Sequence, residues 1–369
     1  MSCNRIWLCA VYQAIVVVAV CGCGAAAAPV RSLTVPQGFQ ISLVSERVPG
    51  ARFMAFAPNG DLLVSQPEKG QVVAIRRGAN ADDDPKIIVS GSELAHGLAF
   101  RGPDAYVASW AGVSKLHYPP STRGGAQKLF SDLPEGGDHN LRAVALGADG
   151  TIYVSSGSTC NVCKEDDARF ATVLRYGPSG GRGRIYASGL RNASGLAFDQ
   201  RGRLWAVVNG RDMIGDDRPA DELDLIKEGV DYGWPYCYGF GQKRLPNPEY
   251  GDASKCASAQ PPTFAFQAHS APLGFVFYNA KQFPAAYQGV AFVAFHGSWN
   301  KSTPTGYKVV AVRFDGGRPT RVEDFMTGWL TTSGKVLGRP VGLAVGPDGA
   351  LYVSDDSGYV FRVSYQAKG

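Results

Sequence analysis

The sequence predicts an all-β fold, a six-bladed β-propeller of four-stranded antiparallel blades, and three observations carry that prediction. One phrase recurs six times: a short apolar strand, a turn, and a second strand ending in small polar residues. Each such hairpin is followed by a third alternating strand, and the copies lie roughly 45 to 80 residues apart, the spacing of propeller blades with insertions. One further alternating stretch, residues 40–44, stands ahead of the first copy with no partner beside it. A twisted blade cannot bury both faces alone, whereas blades packed around an axis bury apolar residues between neighbours.

Composition sets the bounds. With 45% hydrophobic and 19% charged residues, the 369-residue chain can fill a large core, which excludes a disordered tail protein. A net charge of +5 is spread over 37 basic and 32 acidic residues without a long basic run, so nucleic acid is not an expected partner.

In chain order, residues 1–28 read as an export signal: Arg5, an apolar run at 6–20 that is short for a membrane span, then Cys21-Gly22-Cys23-Gly24 and a run of alanines. Val20-Cys21-Gly22-Cys23 matches a lipoprotein box that would lipidate Cys23, whereas Ala25 and its neighbours suit ordinary signal cleavage. Either route predicts an exported, periplasmic protein; the first adds lipid on Cys23 as its one membrane attachment. The propeller domain is expected at 33–369. Its orphan strand, 40–44, would pair with the outer edge of the last blade and remove an exposed edge. The six copies are residues 53–65, 97–109, 143–155, 195–207, the more divergent 274–277 leading to 289–294, and 342–354.

Beyond the leader stand four cysteines, an even number in an exported chain, for which disulfides are the default. Cys160 with Cys163 and Cys237 with Cys256 is the favoured pairing, because each pair sits inside one irregular insertion. Zinc would need two more nearby ligands, thioredoxin-like redox chemistry a βαβ setting, and haem attachment a His where Lys164 stands.

The loops that precede the first strand of each copy share one phase of the repeat and should converge on one end of the central channel. They carry His96, then His139 and Arg142, then Arg191 and Asn192, then His269, then Arg339. Unrelated surface residues have no reason to share that position. Histidine takes a proton near neutral pH, and arginine grips carboxylates bidentately. With Lys301, the arginines predict a cationic funnel suited to a compact ligand bearing several carboxylates, unless each pairs with a local acid. Acid-rich loops at 216–224 and 231–236 offer the oxygen ligands a hard cation prefers, without EF-hand spacing; solvated acids are the other reading.

Five stretches carry a resemblance: Asp138-His139-Asn140-Leu141-Arg142, Gly189-Leu190-Arg191-Asn192, Gly229-Val230-Asp231-Tyr232-Gly233-Trp234-Pro235, Phe295-His296-Gly297-Ser298-Trp299-Asn300-Lys301, and Arg339-Pro340. Together, from about residue 35 to the C-terminus, the chain resembles the soluble pyrroloquinoline quinone (PQQ) dependent sugar dehydrogenases and, among them, the sorbosone dehydrogenase-like branch. That resemblance implies PQQ in the funnel, a calcium ion bridging quinone and protein, and a catalytic His at His139. It assigns PQQ contacts to Arg142, Arg191, Asn192, Lys301 and Arg339, and calcium contacts to backbone oxygens at Gly233 and Pro235. His96, His269 and Trp299 are the candidate substrate contacts. His139 and Arg142 lie one residue closer together than in the soluble glucose dehydrogenases, which argues against carrying glucose over as the substrate.

The expected reaction has His139 take a hydroxyl proton from a sugar or sugar-aldehyde hydrate while hydride moves to PQQ, with calcium polarising the quinone. No haem motif is present, so electrons would pass to a separate acceptor, a cytochrome or quinone. One rival is a calcium-dependent propeller lactonase, which needs Asp, Glu and Asn side chains around a metal. Another is a non-catalytic exported propeller that binds carbohydrate or protein.

Overall fold

The computed structural model describes residues 30–120 and 126–366. The expected export segment 1–28, with Cys23, lies outside them. Among the described residues no helix is long and apolar enough to cross a membrane.

Six antiparallel sheets form the blades expected from the repeats, with first strands Met54–Phe56, Leu98–Arg101, Val144–Leu146, Ala193–Phe198, Pro272–Phe277 and Pro340–Val345. Each first strand pairs with the next strand in sequence, and the chain steps outward strand by strand. Alternation then sends successive side chains to opposite neighbours. In the second strand of blade one, Leu62–Gln66, Leu62 and Val64 join the core shared with blade six, whereas Leu63 joins the core shared with blade two. Blade four repeats this: Leu204, Ala206 and Val208 pack toward blade three, Trp205 and Val207 toward blade five. The buried apolar residues accordingly fall into clusters that each bridge two adjacent blades around the whole ring.

The orphan strand closes that ring. Phe39–Ser45 runs antiparallel to Val360–Tyr365 as the outermost strand of blade six, with Phe39 opposite Tyr365 and Ile41 opposite Val363. Phe39 packs edge-on against Phe283, Phe325 and Tyr287 of blade five, which locks the seam.

Two features depart from the regular pattern. Blade three gains a fifth strand, Val230–Asp231, parallel to Gly180–Ser188. Blade four reaches its outer strand, Phe264–Ala265, only after an insertion that holds the hairpin Cys237–Phe240 with Lys243–Pro246 and the helix Ala253–Ser258. Asp252 caps that helix by accepting from the backbone N–H groups of Ser254 and Lys255. Cys237–Cys256 ties helix to hairpin as the sequence predicted, and Cys160–Cys163 closes the short loop after the second strand of blade three.

The inner strands touch where the repeat begins with glycine. A Cβ on Gly97 would lie 2.5 Å from the carbonyl oxygen of Arg142, and one on Gly342 would lie 2.3 Å from that of Arg52. Only a residue without a side chain lets neighbouring first strands come this close around the channel.

Candidate functional site

In an antiparallel hairpin the start of one strand lies beside the end of its partner. Two sets of loops therefore meet at the channel mouth: those entering the first strands and those leaving the second. Between them lies a cavity of about 150 Å³ lined by His139, Arg191, Asn192, Asn209, Gly210, Asp212, Asp221, His269, Ala271, Ser298, Trp299 and Asn300. A larger hollow of about 310 Å³ between blades one and six, lined by Arg76, Arg77, Asp348 and Tyr352, holds no histidine and none of the repeat-phased residues.

His139 is fixed at one end of its ring. Nδ1 lies 3.0 Å from the carbonyl oxygen of Ser158 and 2.9 Å from its hydroxyl oxygen. That hydroxyl donates onward to the carbonyl of Cys160 at 2.8 Å. Nδ1 must therefore carry the proton, which leaves the lone pair on Nε2. Burial, then the nearby charge of Arg191, lowers the imidazole pKa to about 4. His139 is a neutral base at physiological pH.

Arg191, 5% exposed, donates from Nε to the carbonyl of Asn161 at 2.9 Å and from Nη1 to that of Gly210 at 2.7 Å. Its Nη2 reaches Asn161 Oδ1 at 3.0 Å and Asp212 Oδ2 at 3.1 Å. Asn192 donates to Asn209 Oδ1 at 3.0 Å. His269 meets the carbonyl of Gly215 through Nε2 at 2.8 Å, and Trp299, 71% exposed, stands at the rim. His269 and Ala271 hold left-handed backbone angles, φ 63° and 52°. Such strain costs about 1–3 kcal/mol per residue and persists where the surroundings impose it. Here Asp221 helps to impose it by accepting from the N–H of Ala271 at 2.8 Å.

Several expected contacts are placed elsewhere. Arg142 is fully buried and lines no part of this cavity. Its guanidinium donates to the carbonyls of Trp110 at 3.3 Å and Pro134 at 2.5 Å and to the Ser156 hydroxyl at 3.3 Å, stapling blade two to blade three. His96 is likewise buried, with Nδ1 at 3.1 Å from the carbonyl of Arg142 and its ring against Phe53. Gly233 and Pro235 do not line the cavity either. The Gly233 carbonyl accepts from Cys237 N–H at 2.9 Å and that of Pro235 from Asn247 Nδ2 at 2.6 Å, each in a hydrogen bond of the blade-four insertion. Lys301 sits beside the cavity wall, donating to the carbonyl of Asp216 at 2.9 Å and pairing with Asp217 at 3.5 Å. Arg339 is half-buried; it donates to the carbonyl of Gly297 at 3.1 Å and lies over the Tyr307 ring.

Residues 33–366 match the family described as TrAA12-like. The chain belongs to the TrAA12-like family. The resemblance drawn from the motifs is thereby borne out. A pyrroloquinoline quinone-dependent pyranose dehydrogenase of Coprinopsis cinerea is 24% identical over 419 residues, 92% of this chain and 56% of that protein. This TrAA12-like chain thus spans little more than half the length of that relative. The holo form of the Coprinopsis cinerea pyranose dehydrogenase PQQ domain superposes with a TM-score of 0.76 at 24% identity, covering 90% of this chain and 97% of that domain. The calcium structure of a Trichoderma reesei protein of carbohydrate-active enzyme family AA12 gives 0.78 at 22%, covering 93% and 98%. At these identities the structural likeness shows the fold.

In the TrAA12-like chain the charges answer one question left open by the sequence. Arg191 and Lys301 have carboxylate partners, but Arg339 has none among the described residues: its partners are a carbonyl and a phenol. Asn300 Oδ1 is buried without a partner on the cavity wall. Arg339 thus keeps positive charge for a ligand rich in carboxylates, while the Asn300 oxygen, an acceptor, is open to a hydroxyl or N–H donor. Reasoning from the first-strand loops missed Ser158, Asn161, Asp212 and Asn300. All follow second strands, and the same phase argument applied to that end of the hairpin would have found them.

Proposed function

We propose that this chain oxidises a hydroxyl of a sugar or sugar-aldehyde hydrate, with PQQ bound at the channel mouth and a separate carrier, a cytochrome or quinone, receiving the electrons. The observation that carries this reading is the His139 tautomer: its Nδ1–H is committed to Ser158, and Nε2 is free beside a buried arginine. His139 Nε2 takes the hydroxyl proton of the substrate. Arg191, Asn192, Lys301 and Arg339 are the residues that would hold the carboxylates of PQQ, and His269 and Trp299 would meet the sugar. Bound there, PQQ would supply the acceptor for the hydride that leaves the sugar carbon. The names of the Coprinopsis cinerea relatives support PQQ and a pyranose-type substrate.

The Gly233 and Pro235 oxygens that the resemblance names for calcium lie off this cavity, and each already accepts one hydrogen bond. Export to the periplasm, by ordinary cleavage or with lipid on Cys23, belongs to the same proposal and rests on residues 1–28 alone.

The test adds PQQ, with and without calcium, to the apoprotein and follows dye reduction over a panel of aldoses and sugar aldehydes. Turnover that needs PQQ and disappears in His139→Ala is the expected result. A His139→Ala variant as active as wild type would remove the base from the proposal. A lactonase gains one observation, the carboxylates of Asp212 and Asp221 on the cavity wall. All four of their oxygens already accept a protein hydrogen bond, from Asn300, Arg191, Gly210 and Ala271. Lactone hydrolysis without PQQ would reverse that ranking.

A further inference from the structure

The loop closed by Cys160–Cys163 touches both groups the proposed reaction relies on. Between the two cysteines, Asn161 supplies two of the four acceptors around Arg191, its carbonyl and its Oδ1. The same side chain grips the neighbouring loop: Oδ1 accepts from Asp212 N–H at 2.8 Å, and Nδ2 donates to the Asp212 carbonyl at 3.2 Å. On the other side, the Cys160 carbonyl accepts a hydrogen bond from the Ser158 hydroxyl, which leaves that hydroxyl oxygen to accept from His139. One four-residue covalent ring therefore orients the Ser158 hydroxyl against the base and sets the aim of the cation. Its cysteines are half-buried rather than in a blade core. The bond spans only three positions, so it constrains the unfolded chain less than Cys237–Cys256, which spans 19.

We propose that the Cys160–Cys163 ring is a redox-sensitive positioning element, acting on Arg191 through Asn161 and on His139 through Ser158. A dithiol that opens the ring disables the site and leaves the propeller folded. The step is a thiol–disulfide exchange: the S–S bond breaks, two electrons and two protons from the dithiol yield two thiols, and the dithiol closes to its own disulfide. The loss of activity rests on the function proposed above; the effect on His139 does not.

The first arm needs no cofactor. In the apoprotein with labelled histidine, NMR reads the tautomer of each ring. Cys160→Ser/Cys163→Ser should shift the His139 ring-nitrogen signals, as the Ser158 hydroxyl loses its hold on Cys160, and exchange the amides of 157–163 at least about tenfold faster, by local opening. Cys237→Ser/Cys256→Ser should change neither. A folded Cys160→Ser/Cys163→Ser variant whose His139 signals match wild type overturns the proposal.

The second arm titrates PQQ by fluorescence quenching. Asn161→Ala should weaken binding about tenfold, the scale of one charge-assisted hydrogen bond. Asn161→Asp, which keeps the acceptor toward Arg191, should stay within about threefold of wild type. Unchanged affinity in Asn161→Ala, or equal losses in both, overturns the role of Asn161. Wild-type protein that binds no PQQ would sink the proposed function, while the NMR arm would still decide this inference.

Discussion

His139 and His96 are both held neutral, the first at about pKa 4 and the second at about 3, and burial is the leading cause in each. Arg191 adds to the shift at His139 and Arg52 to that at His96. A base that titrates this low gives turnover that is flat from pH 8 to 5 and falls only as pH approaches about 4, measured as the pH profile of kcat/KM in the free enzyme. His139→Ala should lower turnover by about 10²–10⁴, with the circular dichroism spectrum unchanged. The same shifts act on stability. Below the ordinary histidine value of 6.5, the unfolded chain binds protons these folded rings refuse, so their contribution falls with pH toward about 4 at His139 and about 3 at His96. Asp221, pushed up to about 6 by burial, acts the other way: it favours the folded state at low pH, and that contribution is lost as pH rises through 6. The part carried by one ring can be isolated: between pH 7 and 4.5 the melting temperature should lose less, or gain more, in His96→Asn than in wild type. Repeat phase could place Arg142 and Arg191 at the mouth, but phase fixes only the backbone. Whether a guanidinium turns into the cavity or into a seam depends on carbonyls such as those of Trp110, 32 residues away, and Pro134, whose positions the repeat does not set.

At the scale of elements, the hairpins were legible because their apolar alternation has one explanation, burial between two blades, and Leu62, Leu63 and Val64 divide as that explanation requires. The insertions were not. Their polar residues follow no period, and only the cysteine pairs marked where they fold back. Removing Cys237–Cys256 by a double serine substitution should cost about 3 kcal/mol, the chain-entropy value for a loop of this order, seen as a lower denaturant midpoint with His139 NMR signals intact. Gly97→Ala tests the close contact of first strands. Its Cβ would meet the Arg142 carbonyl at 2.5 Å, and overpacking of that kind costs about 1–3 kcal/mol, readable in the same denaturant titration.

For the whole molecule, the six copies and the unpaired strand at 40–44 were enough to give both the blade number and the way the ring closes. A variant lacking Phe39–Ser45 leaves Val360–Tyr365 as a bare edge and takes Phe39 out of the seam between blades five and six. It should lose a single cooperative melt and associate on size-exclusion chromatography. The latch also has a temporal side. Because Phe39–Ser45 is translated before any blade is complete and its partner Val360–Tyr365 after the other five, the circle cannot close until that partner has been made. Every nascent intermediate up to that point has a gap in its circumference, and the strand at 360–365, reaching back to 39–45, seals it.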